Sequence, residues 1–529
     1  MISANLFQKS AITALLALSL FTTPACDWIH ASFMNSIPFK GSAKNQNQEF
    51  HVYLGIDGLS WFSVKEAMKR GAFQGEEWSL AQLVTPFPGT SDYSWTRTMH
   101  TRKMSGYEIE FFNNEEAERE DALHNTGFSG LSKHLMPSLS DTFTFQNQYF
   151  HAFDLSANGF SHVFSAYQDT FLSLGNTLDN LFYNLSGRLE TAEVFSAYLL
   201  EFDVLGHMRG SKDVEKAIVT FSKKIAAFKK SHPQRTIHFT LFSDHGMDFV
   251  RPHKNNGLVI MADELKKVGI NPVESFTGHN PKNELFAVPV MHTRVNYIAL
   301  HTPTILINEV AGRSSSLPSV DLVVARAAIP QSLLHSWQVP HTVEWWSIWA
   351  EGTEALRYGF DSKQDVYYLP EAASYQRLDL GDLTPEALQQ MKAKAASEIT
   401  GYTAVTDEAL FAVTRSKTYP DLFYRARTSL SNVAIEYPAD IMISFRPAYA
   451  SLGFKLPGVE DVATAGLHGS LDHISSLGTL LTTEKVLPSS VRSDTLLDLF
   501  PKIKKHNLEL GTDFVEGDPN AGLDYSAVQ

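Results

Sequence analysis

Short apolar runs that end in aspartate alternate with helical patterns along this chain, and no other feature constrains the fold as strongly. Segments 50–56, 195–202 and 237–242 are apolar enough for buried strands, and a fourth strand is expected over 440–445. The aspartates that directly follow the first three segments are Asp57, Asp203 and Asp244. Strands that alternate with helices favour an α/β protein with a largely parallel sheet.

Two helices have recognisable beginnings. Ser211 is a candidate N-cap for a helix whose apolar residues then recur at helical spacing. Thr384 and Pro385 provide the cap and first-turn residues of a second helix, expected over 386–398. Both helices fit the α/β pattern.

The stretch 303–437 is less regular and rich in Trp and Tyr, so we interpret it as an inserted cap subdomain. Its aromatic side chains form either a substrate wall or, the alternative that we favour, the insertion's own core. The expected organisation is a signal peptide (1–26), a tether (27–48), the first part of a catalytic core (49–302), the insertion (303–437), the second part of the core (438–502) and a C-terminal tail (503–529).

The N-terminus has the pattern of an export signal. Lys9 precedes an apolar run over 11–21, which is too short to span a bilayer, and small residues precede Cys26. Ala25-Cys26 resembles the end of a bacterial lipobox, although Thr23 replaces the usual leucine. We expect export to the periplasm or cell envelope with a lipid anchor on Cys26, and an ordinary signal peptide is the alternative.

Cysteine content and charge exclude several classes of function. Cys26 is the only cysteine, so an intrachain disulfide and a cysteine-built metal site are impossible. The formal net charge of −14 argues against binding to a nucleic-acid duplex, which requires a basic surface. Because no cysteine pair is available, any metal must be held by His, Asp and Glu.

Histidines accompany the aspartates at the predicted strand ends. Asp203 and His207 are four residues apart and share a face on a helical turn, while His245 directly follows Asp244. His468 lies in a loop of small residues, which allows a ligand to approach closely. Ligands of open α/β sheets bind at the carboxyl ends of the strands, so we expect these side chains to converge there. Carboxylates and imidazoles suit divalent metals, and buried carboxylates without a cation would repel one another.

Five ordered motifs make the chain resemble the alkaline phosphatase superfamily, and most of all its type I phosphodiesterase / nucleotide pyrophosphatase branch. The resemblance extends from Glu49 to Pro501 without the stretch 303–437. It implies a doubly wound, alkaline-phosphatase-like core. The motifs are Gly55-Ile56-Asp57-Gly58-Leu59, the turn from Phe87 to Thr96, Glu201-Phe202-Asp203-Val204-Leu205-Gly206-His207, Ser243-Asp244-His245-Gly246-Met247 and Gly466-Leu467-His468-Gly469.

The resemblance also implies the site residues. Asp57, Asp244 and His245 would hold one divalent metal. Asp203, His207 and His468 would hold the second. The nucleophile would be Ser91, which we favour, or the adjacent Thr90, and a covalent intermediate would form on its oxygen. Zinc suits these ligands, with manganese or calcium as alternatives.

The chain departs from the family pattern after the nucleophile. Ser94 stands near the position of an asparagine that donates to phosphate, and Arg97, Arg102 and Lys103 form a basic stretch. Those cations either contact an anionic substrate or form a solvated helix face, the alternative that we favour.

The expected function is hydrolysis of a phosphate ester, by a phosphodiesterase or pyrophosphatase acting on a small molecule, lipid or polymer. A phosphomonoesterase, a sulfatase-like hydrolase and a phosphoryl-group transferase on the same fold are alternatives, as is a non-catalytic envelope lipoprotein. A formylglycine made from cysteine is excluded, because Cys26 lies in the signal region. The sequence predicts neither the substrate nor the oligomeric state.

Overall fold

The computed structural model describes most of the chain between residues 49 and 510. The described ranges are 49–74, 78–107, 110–121, 149, 152–156, 166, 169–249, 258–290, 295–334, 339–371, 373, 375–394, 396–451 and 465–510. The predicted signal peptide (1–26) with Cys26, the tether (27–48) and most of the predicted tail (503–529) lie outside these ranges.

Within the described residues, seven strands form a mostly parallel sheet. Their spatial order is β20 (Ser490–Arg492), β2 (Ser79–Val84), β19 (Leu477–Thr482), β7 (Thr236–Phe242), β1 (Glu49–Ile56), β6 (Val194–Leu199) and β5 (Leu155–Ser156). β1 pairs in parallel with β6 and β7, and β19 alone runs antiparallel to both of its neighbours. The predicted parallel sheet is confirmed.

Helices cover both faces of this sheet. One face packs against α1 (Trp61–Lys69), α3 (Thr170–Arg188), α4 (Glu201–Arg209) and α5 (Ser211–Ser231), and the other against α2 (Ser91–Met99), α12 (Leu496–Leu499) and α13 (Pro501–Glu509). Side chains alternate along β1 accordingly, since Val52 and Leu54 join the first core while Tyr53 joins the second. The sheet is therefore doubly wound, as the family resemblance implies.

A second, mostly antiparallel sheet of nine strands occupies the other half of the described chain. In spatial order these are β16 (Tyr402–Thr406), β15 (Val366–Pro370), β14 (Thr353–Asp361), β13 (Val343–Ala350), β12 (Val320–Ala327), β17 (Ile441–Phe445), β11 (Tyr297–His301), β10 (Phe286–Val290) and β9 (Asn271–Pro272). The predicted strand 440–445 is β17 of this sheet. Trp345, Trp346, Tyr367 and Tyr368 are buried in this half of the molecule.

Shorter elements complete the described structure. They are the strand pairs β3 (Glu110–Asn113) with β4 (Glu118–Asp121) and β8 (Leu258–Val259) with β18 (Ala450–Ser451), the helices α6 (Met261–Lys267), α7 (Ile307–Ser315), α8 (Pro385–Gln390), α9 (Asp407–Thr414), α10 (Leu422–Ser429) and α11 (His473–Ser476), and the 3₁₀ turns Thr304–Leu306, Gln331–Leu333, Tyr375–Leu378 and Ser493–Thr495. None of the described helices combines the length and hydropathy needed to cross a membrane.

Three element boundaries differ from the sequence prediction. β6 ends at Leu199 rather than 202, because α4 begins there and takes Asp203 into its first turn. Ser211 is the first residue of α5, and Gly210 is its N-cap. The hydroxyl of Thr384 does cap α8 by accepting from the N–H of Ala387, but that helix ends at Gln390.

Candidate active site

The six predicted metal-ligating residues meet at the carboxyl edge of the parallel strands. We call them the carboxyl-edge cluster: Asp57, Asp203, His207, Asp244, His245 and His468. Asp57 follows β1, and Asp244 and His245 follow β7. Asp203 and His207 lie one turn apart on α4, and His468 lies in the segment before α11. All six side chains are buried.

Asp203 is the centre of this cluster. Its Oδ2 lies 3.4 Å from Nε2 of His207, and its Oδ1 lies 3.8 Å from Nε2 of His468 and 3.9 Å from Nε2 of His245. His245 also approaches Asp57, with 3.1 Å between Nε2 and Oδ1. The resemblance assigns Asp203 to one metal, whereas in the structure its donor atoms belong to two groups.

Those two groups have donor atoms close enough to hold a metal. One comprises Asp203, His207 and His468, and the other Asp57, Asp203 and His245, with all donor atoms of a group within 4.8 Å of one another. Asp244 lies beside the second group, since its Oδ2 is 3.4 Å from Nε2 of His245 and its Oδ1 accepts from the N–H of Gly58.

Backbone carbonyls orient all three imidazoles of the cluster. Nδ1 of His207 lies 2.8 Å from the carbonyl of Gly466, Nδ1 of His245 lies 2.8 Å from that of Gly246, and Nδ1 of His468 lies 2.7 Å from that of Gly89. A carbonyl only accepts hydrogen bonds, so each Nδ1 carries a hydrogen and each Nε2 faces the carboxylates. This orientation suits metal ligation.

The electrostatics of the cluster also suit cations. Burial raises the pKa of Asp203 and of Asp244, and neighbouring carboxylates add to both shifts. Burial alone would lower the pKa of His245, but Asp244 and Asp57 raise it to about 10. Among the described residues, Oδ1 of Asp203 and Oδ2 of Asp244 have no hydrogen-bond partner. Buried oxygens left without a donor fit a site built for metal.

Ser91 and Thr90 occupy different positions at the start of α2. Ser91 is the first residue of the helix and is partly exposed, and its Oγ lies 3.2 Å from Oδ1 of Asp57 and 3.5 Å from Nε2 of His245. Thr90 is the N-cap, is 1% exposed, and its Oγ1 has no hydrogen-bond partner among the described residues. Of the two hydroxyls, that of Ser91 contacts the carboxyl-edge cluster.

The basic stretch after the nucleophile is divided by its environment. Arg97 is buried, pairs with Asp494 at 2.5 Å and donates to the hydroxyl of Tyr424. Arg97 therefore neither contacts solvent as a helix face nor is free for substrate. Arg102 is exposed and Lys103 partly so, and the hydroxyl of Ser94 is buried without a hydrogen-bond partner in the described structure.

Sequence reasoning missed several groups that support the cluster. The hydroxyl of Tyr198, on β6, donates to Oδ2 of Asp57, and burial together with that carboxylate raises the pKa of Tyr198. The N–H of Gly58 donates to Asp244, and the carbonyls of Gly89 and Gly466 hold histidines. The glycines lie inside the recognised motifs, whereas Tyr198 carries no sequence signal.

A further group of possible metal ligands, Glu49, His51 and His238, lies at the opposite end of β1 and β7. There Nζ of Lys502 is 2.5 Å from Nε2 of His51, and Glu484 is 3.2 Å from Nδ1. An ammonium of the chain already takes the place that a metal would need. We call these residues the amino-edge cluster: Glu49, His51, His238, Glu484 and Lys502.

The family model described as "Type I phosphodiesterase / nucleotide pyrophosphatase" matches residues 81–317. The predicted resemblance is confirmed. The chain is an enzyme of the metal-dependent phosphoric ester hydrolase type, with Asp/His groups able to bind metal. No curated protein matches it significantly.

The solved structures that are similar to the chain share very little sequence identity with it. Murine ectonucleotide pyrophosphatase / phosphodiesterase 5, solved as an inactive T72A variant with AMP, is 10% identical with a TM-score of 0.43, covering 89% of this chain and 97% of that one. The human protein of that name is 10% identical with a TM-score of 0.41, covering 87% and 95%. Phosphonoacetate hydrolase from Sinorhizobium meliloti 1021 is 9% identical with a TM-score of 0.37, covering 89% and 98%.

Proposed function

We propose that this chain is an exported two-metal hydrolase that cleaves a phosphodiester or pyrophosphate bond through a covalent intermediate on Ser91. One observation carries the proposal: the hydroxyl of Ser91 lies 3.2 Å from Asp57, beside a buried cluster whose three imidazoles turn Nε2 towards carboxylates. The family match supplies the substrate class.

The two donor groups would each hold one divalent cation, with zinc favoured for mixed Asp/His ligation. Asp203, His207 and His468 would form one position, and Asp57, Asp244 and His245 the other, with Asp203 adjacent to both. Bound cations would neutralise charge on the phosphoryl group and lower the pKa of the hydroxyl.

The chain's own residues have defined parts in this reaction. Asp57 accepts from Ser91 and aims its oxygen at the phosphorus, and Tyr198 fixes Asp57 from its other oxygen. The Ser91 hydroxyl gives up its proton to solvent as the Oγ–P bond forms and the bond to the leaving oxygen breaks, and the leaving oxygen takes up a proton from solvent. Water then cleaves the Oγ–P bond and restores the hydroxyl of Ser91. The N-terminus of α2 favours the negative phosphoryl oxygens.

A substrate panel tests this proposal. Purified protein loaded with zinc, manganese or calcium is assayed on a chromogenic phosphodiester, phosphomonoester and sulfate ester. We expect the diester to be preferred and Ser91→Ala to abolish turnover, while Thr90→Ala keeps activity. A phosphoryl group on Ser91, located by mass spectrometry after acid quenching, identifies the intermediate. Preference for the monoester or sulfate ester would overturn the proposed substrate class. Loss of activity only in Thr90→Ala would overturn Ser91 as the nucleophile.

Export and lipidation are tested separately. We expect full-length protein in the producing bacterium to incorporate labelled fatty acid and to fractionate with membranes, and Cys26→Ser to lose the label. Removal of the N-terminal segment without incorporation of labelled fatty acid would instead indicate an ordinary signal peptide.

A further inference from the structure

Arg425 is a buried cation that the proposed mechanism does not use. It lies on α10, is 1% exposed, and donates to four carbonyls and one hydroxyl. Its acceptors are the carbonyls of Pro420 (3.2 Å) and Leu471 (3.0 Å) for Nη1, and the carbonyls of Pro86 (3.4 Å) and Ser470 (3.4 Å) and the hydroxyl of Ser476 (2.6 Å) for Nη2.

These acceptors belong to the two segments that carry Ser91 and His468. Pro86 lies in the turn 85–91, which connects β2 to α2 and ends at Ser91. Ser470, Leu471 and Ser476 belong to the segment 466–476, which contains His468. The segments also touch beside Arg425, where Thr85 donates to the carbonyl of Ser476. The guanidinium therefore lies at their junction.

Two neighbouring arginines, Arg97 (buried) and Arg492 (partly buried), have carboxylate partners, and Arg425 does not. Arg97 pairs with Asp494, and Arg492 with Asp407 and Asp421. No carboxylate in the described structure is within ion-pairing distance of Arg425, and burial lowers the pKa of its guanidinium to about 9. The carbonyl and hydroxyl acceptors alone offset the cost of burying this charge.

We propose that Arg425 is a positioning residue for the hydrolysis, holding the turn 85–91 and the segment 466–476 at the separation that brings Ser91 and His468 to one carboxylate cluster. The inference rests on the proposed function. Because Arg425 lies within the predicted insertion 303–437, that region would then help to set the geometry of the site. Small displacements of a nucleophile or ligand reduce rates strongly.

The test compares Arg425→Met with Arg427→Met. Arg427 is a matched control because it is also buried on α10, but it stacks on Phe360 at 3.8 Å and donates to the hydroxyl of Tyr367. Three measurements apply to both variants and to Arg425→Lys: hydrogen exchange of peptides covering 85–91 and 466–476, zinc affinity by chelator competition, and kcat and KM on the chromogenic diester.

We expect Arg425→Met to exchange faster in both segments of the metal-free protein, by about tenfold, because the amides lose their shared anchor. Its zinc affinity should fall about tenfold and its kcat about 100-fold, with KM within about threefold. Arg425→Lys should lie between it and the wild type. Arg427→Met should match the wild type within about twofold in exchange, zinc affinity and kinetics, even if its melting temperature falls as much as that of Arg425→Met.

Equal changes in Arg425→Met and Arg427→Met would overturn the proposal and leave Arg425 a structural residue. If Arg425→Met does not fold, Arg425→Lys and Ser476→Ala, which removes the nearest acceptor, decide by the same measurements, and wild-type exchange, zinc affinity and kcat in both would reject the role. If the wild type hydrolyses no ester, the proposed function fails, whereas the exchange comparison still decides whether Arg425 holds the two segments.

Discussion

Strands β1 and β7 have imidazoles and carboxylates near both of their ends, and the two clusters differ in what balances the negative charge. In the amino-edge cluster, Lys502 supplies an ammonium 2.5 Å from His51 and 3.2 Å from the neighbouring Glu193. In the carboxyl-edge cluster, the ion-pairing partners of the three aspartates within the described residues are histidines alone.

The difference teaches that residue type does not by itself identify a metal site. Both clusters contain at least two histidines and two carboxylates, and both contain donor groups of suitable spacing. The carboxyl-edge cluster is fully buried, its histidines are oriented by carbonyls, and two of its carboxylate oxygens have no hydrogen-bond donor among the described residues. Of the two clusters, only the carboxyl-edge one has no lysine or arginine among the ion-pairing partners that the described residues provide, so we expect a bound cation there rather than at the amino edge.

The largest expected effect comes from Asp203→Asn. Asp203 belongs to both donor groups, so we expect this variant to lose both metals and roughly 10³-fold or more in kcat/KM. His207→Gln, which removes a ligand of one group, should retain about half of the metal. Metal analysis and diester kinetics measure both, and full metal content in Asp203→Asn would contradict the two-group arrangement.

Metal removal should separate the two clusters by stability. A ligand at 100 times its dissociation constant stabilises the folded state by about 2.7 kcal/mol, so chelation should lower the free energy of unfolding by about that much. Denaturant titrations with and without chelator measure it. His51→Gln should respond to chelation as the wild type does, because Lys502 provides the cation at that edge. A chelator response that disappears in His51→Gln would show metal at the amino edge instead.

Lys502→Met removes the chain's own cation from the amino-edge cluster. We expect a loss of about 1 kcal/mol or less in the free energy of unfolding, because Lys502 is partly exposed. Diester kcat should be unchanged, since the cluster lies at the other end of the strands. Lys504→Met on the same helix, whose exposed pair with Asp498 is 3.3 Å, is the control and should cost less. A fall in kcat for Lys502→Met would contradict the expectation that the amino-edge cluster does not influence the active site.

The sequence predicted the carboxyl-edge cluster better than the rest of the molecule, for a physical reason. Parallel strands bring their carboxyl ends to one edge, so strand-end aspartates converge whatever their separation along the chain. The sequence pattern places Arg97 on a solvated helix face, whereas the side chain is buried against Asp494. Asp494 is far away in sequence, so no local pattern indicates the pair. Tyr198 and Arg425 escaped notice likewise, since their roles depend on tertiary contacts with Asp57 and with two distant loops.

The second sheet was the least predictable part of the fold. Strand β17 was predicted from its apolar run, but its antiparallel partners β11 and β12 set its place outside the parallel sheet. An apolar run of five residues does not distinguish the two kinds of pairing. The antiparallel direction of β19 could not be predicted either, because it is set by pairing with β2 and β7, which lie far away along the chain.

The smallest expected effect is a pH dependence at the amino edge. Burial alone would raise the pKa of Glu484, but His51 and the hydroxyl of Tyr53 hold it below its usual value. Because the folded-state pKa is depressed, Glu484 stabilises the fold above its unfolded-state pKa and loses that contribution as the pH falls through the folded-state value. We therefore expect the wild type to lose more stability than Glu484→Gln on acidification below the usual glutamate range. Carboxylates common to both proteins cancel in this difference, including those of the carboxyl-edge cluster. Parallel stability curves for the two proteins, measured by denaturant titration across that range, would mean that Glu484 gains nothing from its neighbours and that Lys502 alone balances the cluster.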